Sequence, residues 1–218
     1  MSAVAARLSD GRLHLQHGPI DLIIEAFGAA DEVERAYGQA VDRFGDILPT
    51  LVRELPILRR PVNDAYPLLQ GPVARRMAEA VWPHRSVYIT PMAAVAGAVA
   101  DEMVQALVKD RRLDKAYVND GGDIAIHLTP GHELRAGIFA AALDGVARLT
   151  YDRPVRGIAT SGRSPPRCPR RCAMSSNASP RIASRRCAPC YSWRVPAARC
   201  APASRKIPCG SRAPSATR

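Results

Sequence analysis

Before residue 168 the chain has no cysteine. Its first 163 residues therefore offer no disulfide, no thiolate metal ligand and no cysteine nucleophile. No secretory leader is expected from the opening residues: Met1 to Ala6 is short, Arg7 follows, and no apolar h-region of signal length stands there. Ile89–Ala100 is the longest apolar stretch, too short to span a bilayer and closed by Asp101-Glu102. A cytoplasmic protein without a membrane partner is the expectation. No G-x-G-x-x-G precedes a helix, and no G-x-S-x-G is present, which removes the Rossmann fingerprint and the nucleophile elbow.

Beyond Arg163 the absences change sides. Ser164 to Arg218 contains no Asp, Glu, Leu or Phe, and 45 of its 55 residues are Arg, Ala, Ser, Pro or Cys. All six cysteines of the chain lie there. So do twelve of its 31 basic residues, leaving 19 Lys and Arg against 20 Asp and Glu in residues 1–163, a net charge of −1. The overall +11 thus belongs to the tail and says nothing about partners of the body. The expected organisation is one domain over 1–163 and a disordered tail over 164–218. In that tail Cys168-x3-Cys172 and Cys187-x2-Cys190 imitate zinc knuckles, but few large apolar residues accompany them. A basic arm touching nucleic acid is a further alternative.

The body reads as α+β. Arg12–Gln16 and Ile20–Ala26 predict a hairpin about His17-Gly18-Pro19. Val33, Tyr37, Val41, Phe44 and Leu48 line one face of a helix that Pro49 and Pro56 should kink or end. A short helix is expected over 73–81, a strand over 86–89 and an Ala-rich helix over 91–109. Then the period drops to two. Strands at 115–119, 123–128, 133–141 and 146–151 predict a four-strand antiparallel meander, with 156–159 as a fifth strand. Helices segregated from an antiparallel sheet define the class.

Four places carry candidate chemistry. Gly121-Gly122-Asp123 is either a hairpin turn or a glycine junction that lets backbone N–H groups reach an anionic or planar ligand. Asp101 and Glu102 are either a solvated helix face or carboxylates able to bind a ribose hydroxyl or a metal. Thr160-Ser161-Gly162 supplies hydroxyl and N–H donors suited to phosphate, as many turns do. His127 and His132 read as surface or turn histidines, since Asp123 and His127 lie about 13 Å apart along one strand face, too far to share an ion.

Three segments together carry a resemblance: I-T-P-M-A-A-V-A-G-A-V-A-D-E over 89–102, Y-V-N-D-G-G-D-I over 117–124 and G-I-A-T-S-G-R over 157–163. In this order they resemble the ApbE-like superfamily of FAD:protein FMN transferases, and more closely an uncharacterised prokaryotic branch of it. The resemblance covers most of residues 10–163. It implies a T-fold-like α+β domain that binds FAD or FMN, with Mg²⁺ assisting transfer of FMN to a threonine of an acceptor protein. By position it assigns cofactor binding to Gly97, Asp101, Asn119, Gly121, Gly122, Asp123, Thr160, Ser161 and Gly162. Catalytic residues and metal ligands are left unassigned. Two departures stand out. Where the transferases carry lysine before the motif glycine, this chain has Ala96. And the F-S-L-G-I-A-D-A-V-like continuation expected after T-S-G, with the metal ligands, is replaced by the tail. The tail then reads as a change of reading frame, and the chain as a flavin-site protein impaired in transfer. A non-enzymatic flavin or small-ligand module is the alternative.

Overall fold

The computed structural model describes residues 2–140, 143–160 and 173–175. Among them the fold is a mixed α+β domain with antiparallel sheets. Three strands open it, β1 (Val4–Arg7), β2 (Leu13–His17) and β3 (Ile20–Gly28). The expected hairpin is present: His17 pairs with Ile20 around Gly18-Pro19, and Leu15 with Leu22. β1 escaped the sequence reading because Val-Ala-Ala-Arg has no alternation, and all four of its residues are exposed.

Helix α1 (Ala30–Phe44) follows, with Asp31 and Glu32 in its first turn, where they oppose the positive end of the helix dipole. Its buried face is Ala36, Tyr37, Ala40 and Phe44. Val41, expected on that face, is exposed, and Leu48 belongs to the next helix. The Tyr37 hydroxyl accepts the Ala26 N–H at 3.1 Å and so ties α1 to β3.

The two prolines do not break the next helix, α2 (Ile47–Leu58), which contains both. Pro49 occupies its first turn, where an N–H has no intrahelical partner to lose. Pro56 removes one bond near the C-terminal end. The short helix expected over 73–81 is α3 (Pro72–Val81), which starts one residue earlier with Pro72 in its first turn. Residues 86–89 form no strand, contrary to expectation. A 3₁₀ turn (Trp82–His84) leads into an irregular loop whose link to a neighbouring segment is one backbone bond, Val62 N–H to Ile89 O at 2.8 Å. A second 3₁₀ turn (Pro91–Ala94) opens α4 (Val95–Val108). Together Pro91–Val108 is long and apolar enough to cross a membrane by length and composition alone, but it packs into the domain core.

The second half is β4 (Leu113–Asp120), β5 (Asp123–Leu128), β6 (Glu133–Ala140), β7 (Leu143–Thr150) and β8 (Gly157–Thr160). The four-strand meander is corrected. β5 pairs with β8, while β6 and β7 form their own two-stranded sheet. The cause lies in β5, which is apolar on both faces. Ala125 joins the core under the helices, and Ile126 and Leu128 bury the opposite face against Leu134, Ala136, Ala147 and Leu149 of the ribbon. Thr129 turns the chain out of the sheet by donating its N–H and its hydroxyl to Asp114 O.

The main sheet runs β1-β2-β3-β4-β5-β8-β9, with β9 (Ala173–Ser175) set on β8. Those three residues are the part of the predicted tail that the structure describes; the paired cysteine motifs lie outside the described residues. Helices cover one face of the sheet with the main core of Leu15, Leu22, Ile24, Phe44, Met77, Met103, Leu107 and Val118, and the ribbon covers part of the other.

Candidate functional site

Strand alternation decides which side chains meet the helix layer. In β4, Ala116, Val118 and Asp120 are buried on the helix side, while Tyr117 and Asn119 lie on the other. Asp120 pairs with Asp123 across the hairpin, so both aspartates occupy the helix side at its end. Gly121 and Gly122 close it with φ of 60° and 107°, the two positive values a two-residue turn of this type requires. The Asn119 side-chain oxygen accepts the Gly122 N–H at 2.8 Å. Turn geometry therefore accounts for both glycines and for the asparagine. A ligand role would use the same residues, and nothing lies within 4 Å of where a Gly121 Cβ would point.

The third motif joins this end. Ile158 is opposite Ile124 and Gly157 opposite Ala125. Continuing that antiparallel register by two residues sets Thr160 across from Gly122. Ser161 and Gly162 follow it in the chain but lie outside the described residues.

The first motif approaches from above. A four-residue link joins Val108 to Leu113, so α4 reverses over the sheet, and it packs on both β4 and β5. At 1.5 Å per helical residue Gly97 is about 16 Å back from Val108, level with Val118 at 3.3 Å per strand residue. Asp101 lies level with Ala116, about 13 Å short of Asp120 along the strand.

Asp101 and Glu102 do not form a solvated face. Asp101 is 9% exposed. Burial pushes its carboxyl up to about 7, against the opposing pull of the nearby Arg76 guanidinium. Glu102 receives Arg43 from α1 at 2.8 Å and Arg76 from α3 at 3.1 Å, and so clamps three helices. Asp120 escaped the sequence reading. It too is 9% exposed, with its carboxyl raised to about 7 by burial first and by Asp123 and Asp21 after it. Its place, continuing the Ala116 and Val118 core positions at spacing two, points it to the helix side once those two are known to be buried. With distinct charged neighbours, Asp101 and Asp120 are two separate buried carboxyls. Burial favours the protonated form of each, in which it can donate as well as accept a hydrogen bond.

The profile of a family described as AbpE bacteria matches residues 5–167. The chain belongs to that family. The AbpE bacteria match runs from β1 past β8, takes in all three candidate segments, and ends where the tail composition begins. No curated protein matches the chain.

For a metal, this AbpE bacteria domain offers little. Among the described residues no group of three His, Cys, Asp or Glu comes together in a way that could hold an ion. His132 shares a hydrogen bond with Thr129 at 3.0 Å, and His127, half-buried on β5, has its pKa lowered by burial and by Arg156. The described residues thus supply no ready donor set for Mg²⁺.

Proposed function

We propose that this chain is an ApbE-like protein that binds a flavin nucleotide through a T-fold-like domain, with FMN transfer impaired. One observation carries the reading. Asn119–Asp123 and Thr160 lie at one end of the main sheet, and the helix that carries Gly97, from the first of three segments spread over about 60 residues, packs on the two strands of that hairpin. Glycines at that end allow close approach of a planar or anionic group. Asp101 and Asp120 supply hydrogen-bonding carboxyls for ribityl or ring positions, and the Thr160-Ser161-Gly162 segment supplies donors for phosphate.

Transfer would require the acceptor threonine oxygen to bond to the FMN phosphorus of FAD while the pyrophosphate bond to AMP breaks and the threonine proton leaves. Negative charge builds on the phosphates in such a step, and a cation must offset it. Ala96 stands where the resemblance calls for lysine, and no metal donor set is assembled among the described residues. Both favour binding over transfer.

Titration of FMN and FAD with the full chain, followed by flavin fluorescence, tests the reading. Saturable quenching is expected, weakened about tenfold or more in Asp101→Ala and Asp120→Ala, in line with loss of a charged-group hydrogen bond. Absence of binding by both flavins sinks it. Incubation with FAD, Mg²⁺ and a threonine-bearing acceptor then separates the two activities, since only transfer leaves fluorescence on denatured protein.

A further inference from the structure

The two loops packed against the start of α4 expose side chains that the flavin reading does not use. Tyr66, Leu68, Val87 and Tyr88 are exposed large apolar residues, Leu68 at 86% and Tyr88 at 76%. They sit on two loops, 59–71 and 85–90, joined by the bond from Val62 N–H to Ile89 O. Beneath them Trp82 meets the Tyr66 ring edge-on at 5.0 Å, and Arg85 lies over the indole at 4.6 Å. The Tyr66 hydroxyl also reaches Arg75 O on α3, at 3.5 Å.

Charge selects what could cover it. Arg59 and Arg60 lead into Val62, Arg75 backs Tyr66, and Arg85 covers Trp82. None of the four is in an ion pair among the described residues; Asp64 and Glu79 are the acids on these segments. Trp, Tyr and Arg around exposed aliphatic groups are the residue types that dominate protein–protein binding energy. Two occupants are excluded by sign. The tail carries twelve basic residues and no acid, so it is repelled. A two-fold dimer through this patch would set the same four arginines against themselves.

We propose that this face docks an acidic segment of another protein, anchored by an apolar or aromatic residue over Tyr66, Leu68 and Tyr88 and flanked by carboxylates that meet Arg59, Arg60, Arg75 and Arg85. The inference stands apart from the flavin reading and survives its failure.

Trp82 is the built-in reporter. The chain has one other tryptophan, Trp193, so the full chain carrying Trp193→Phe reports on this face alone. The probes are a short peptide with glutamates on both sides of a Leu-Phe-Leu centre, its glutamine analogue, and an oligothymidylate. The acidic peptide should change Trp82 emission saturably, with weakening as salt is raised. The glutamine analogue, and the acidic peptide against Tyr88→Ser or Arg59→Ser/Arg60→Ser, should bind about tenfold or more weakly. Because these are surface positions, unchanged circular dichroism is expected, and the salt dependence of the unsubstituted surface provides the same test without a variant. Trp82 emission that ignores the acidic peptide, answers the glutamine analogue equally, or responds to the oligothymidylate overturns the proposal.

Discussion

Replacing Asp101 by asparagine should stabilise the protein in alkali and leave it nearly unchanged in acid. The folded chain raises this carboxyl from 3.8 to about 7, chiefly by burial. Between those values the native state holds a proton that the unfolded chain has released. The contribution to stability is therefore complete below the unfolded value and is lost as pH rises through the folded one. Above it the native protein carries a buried carboxylate, and Arg76, committed to Glu102 and Gln105, offsets that only in part. At 1.36 kcal/mol per pKa unit the full displacement corresponds to roughly 4 kcal/mol. Screening by the polar surroundings makes about 2 kcal/mol the realistic figure. Asparagine has nearly the same shape and cannot ionise. Urea unfolding of the two proteins should give equal stability at about pH 4, with the variant ahead by about 2 kcal/mol at about pH 8. On heating this is a rise of about 5 °C at the higher pH. Asp120 titrates in both proteins, so the difference between the curves isolates Asp101. A difference independent of pH, or an advantage for the unsubstituted protein in alkali, would refute the argument and mean that Asp101 is a charged partner of Arg76.

Other expectations follow from the same structure. Glu102→Gln leaves the half-buried Arg43 and Arg76 without their carboxylate and should cost about 2 kcal/mol, with strong coupling to Arg43→Ala in a double-mutant cycle of urea midpoints. Gly121→Ala meets no atom and should cost only about 1 kcal/mol for its positive φ. Gly71→Ala should cost more, since its Cβ would fall 2.8 Å from both Glu54 Oε2 and Thr50 Cγ2, and Glu54 holds the chain entering α3 by accepting the Gln70 and Gly71 N–H groups. Thermal melts of the two glycine variants side by side check that order. Translating the gene in its other two frames beyond the Arg163 codon should reveal an apolar continuation of the G-I-A-D-A-V kind; its absence from both refutes the reading-frame account of the tail.

The elements with strong local signals were legible in the sequence. The face of Val33, Tyr37 and Phe44 located α1, and β4 and β5 followed from alternation and their glycine pair. What escaped needed tertiary information. Pro49 and Pro56 look like breakers until their positions within a helix turn are known. Ser86–Ile89 has the composition of a strand but no neighbouring edge to pair with. The ribbon could not be separated from the meander because alternation gives strands and not their partners, and here a second apolar face on β5 chose the pairing. At the candidate site, glycines and hydroxyls announce themselves through motif spacing. Asp120 does not, because an acid in a two-glycine turn reads as turn chemistry until the burial of Val118 beside it shows which way it faces.

Hydrogen–deuterium exchange of the full chain with and without FMN tests the central claim most directly. If one flavin site draws on all three segments, FMN should slow exchange together in peptides covering 95–101, 119–123 and 157–162, with no comparable change in 59–71 or 85–90. Slowing in a single one of the three segments, in none, or only in the exposed loops would contradict it.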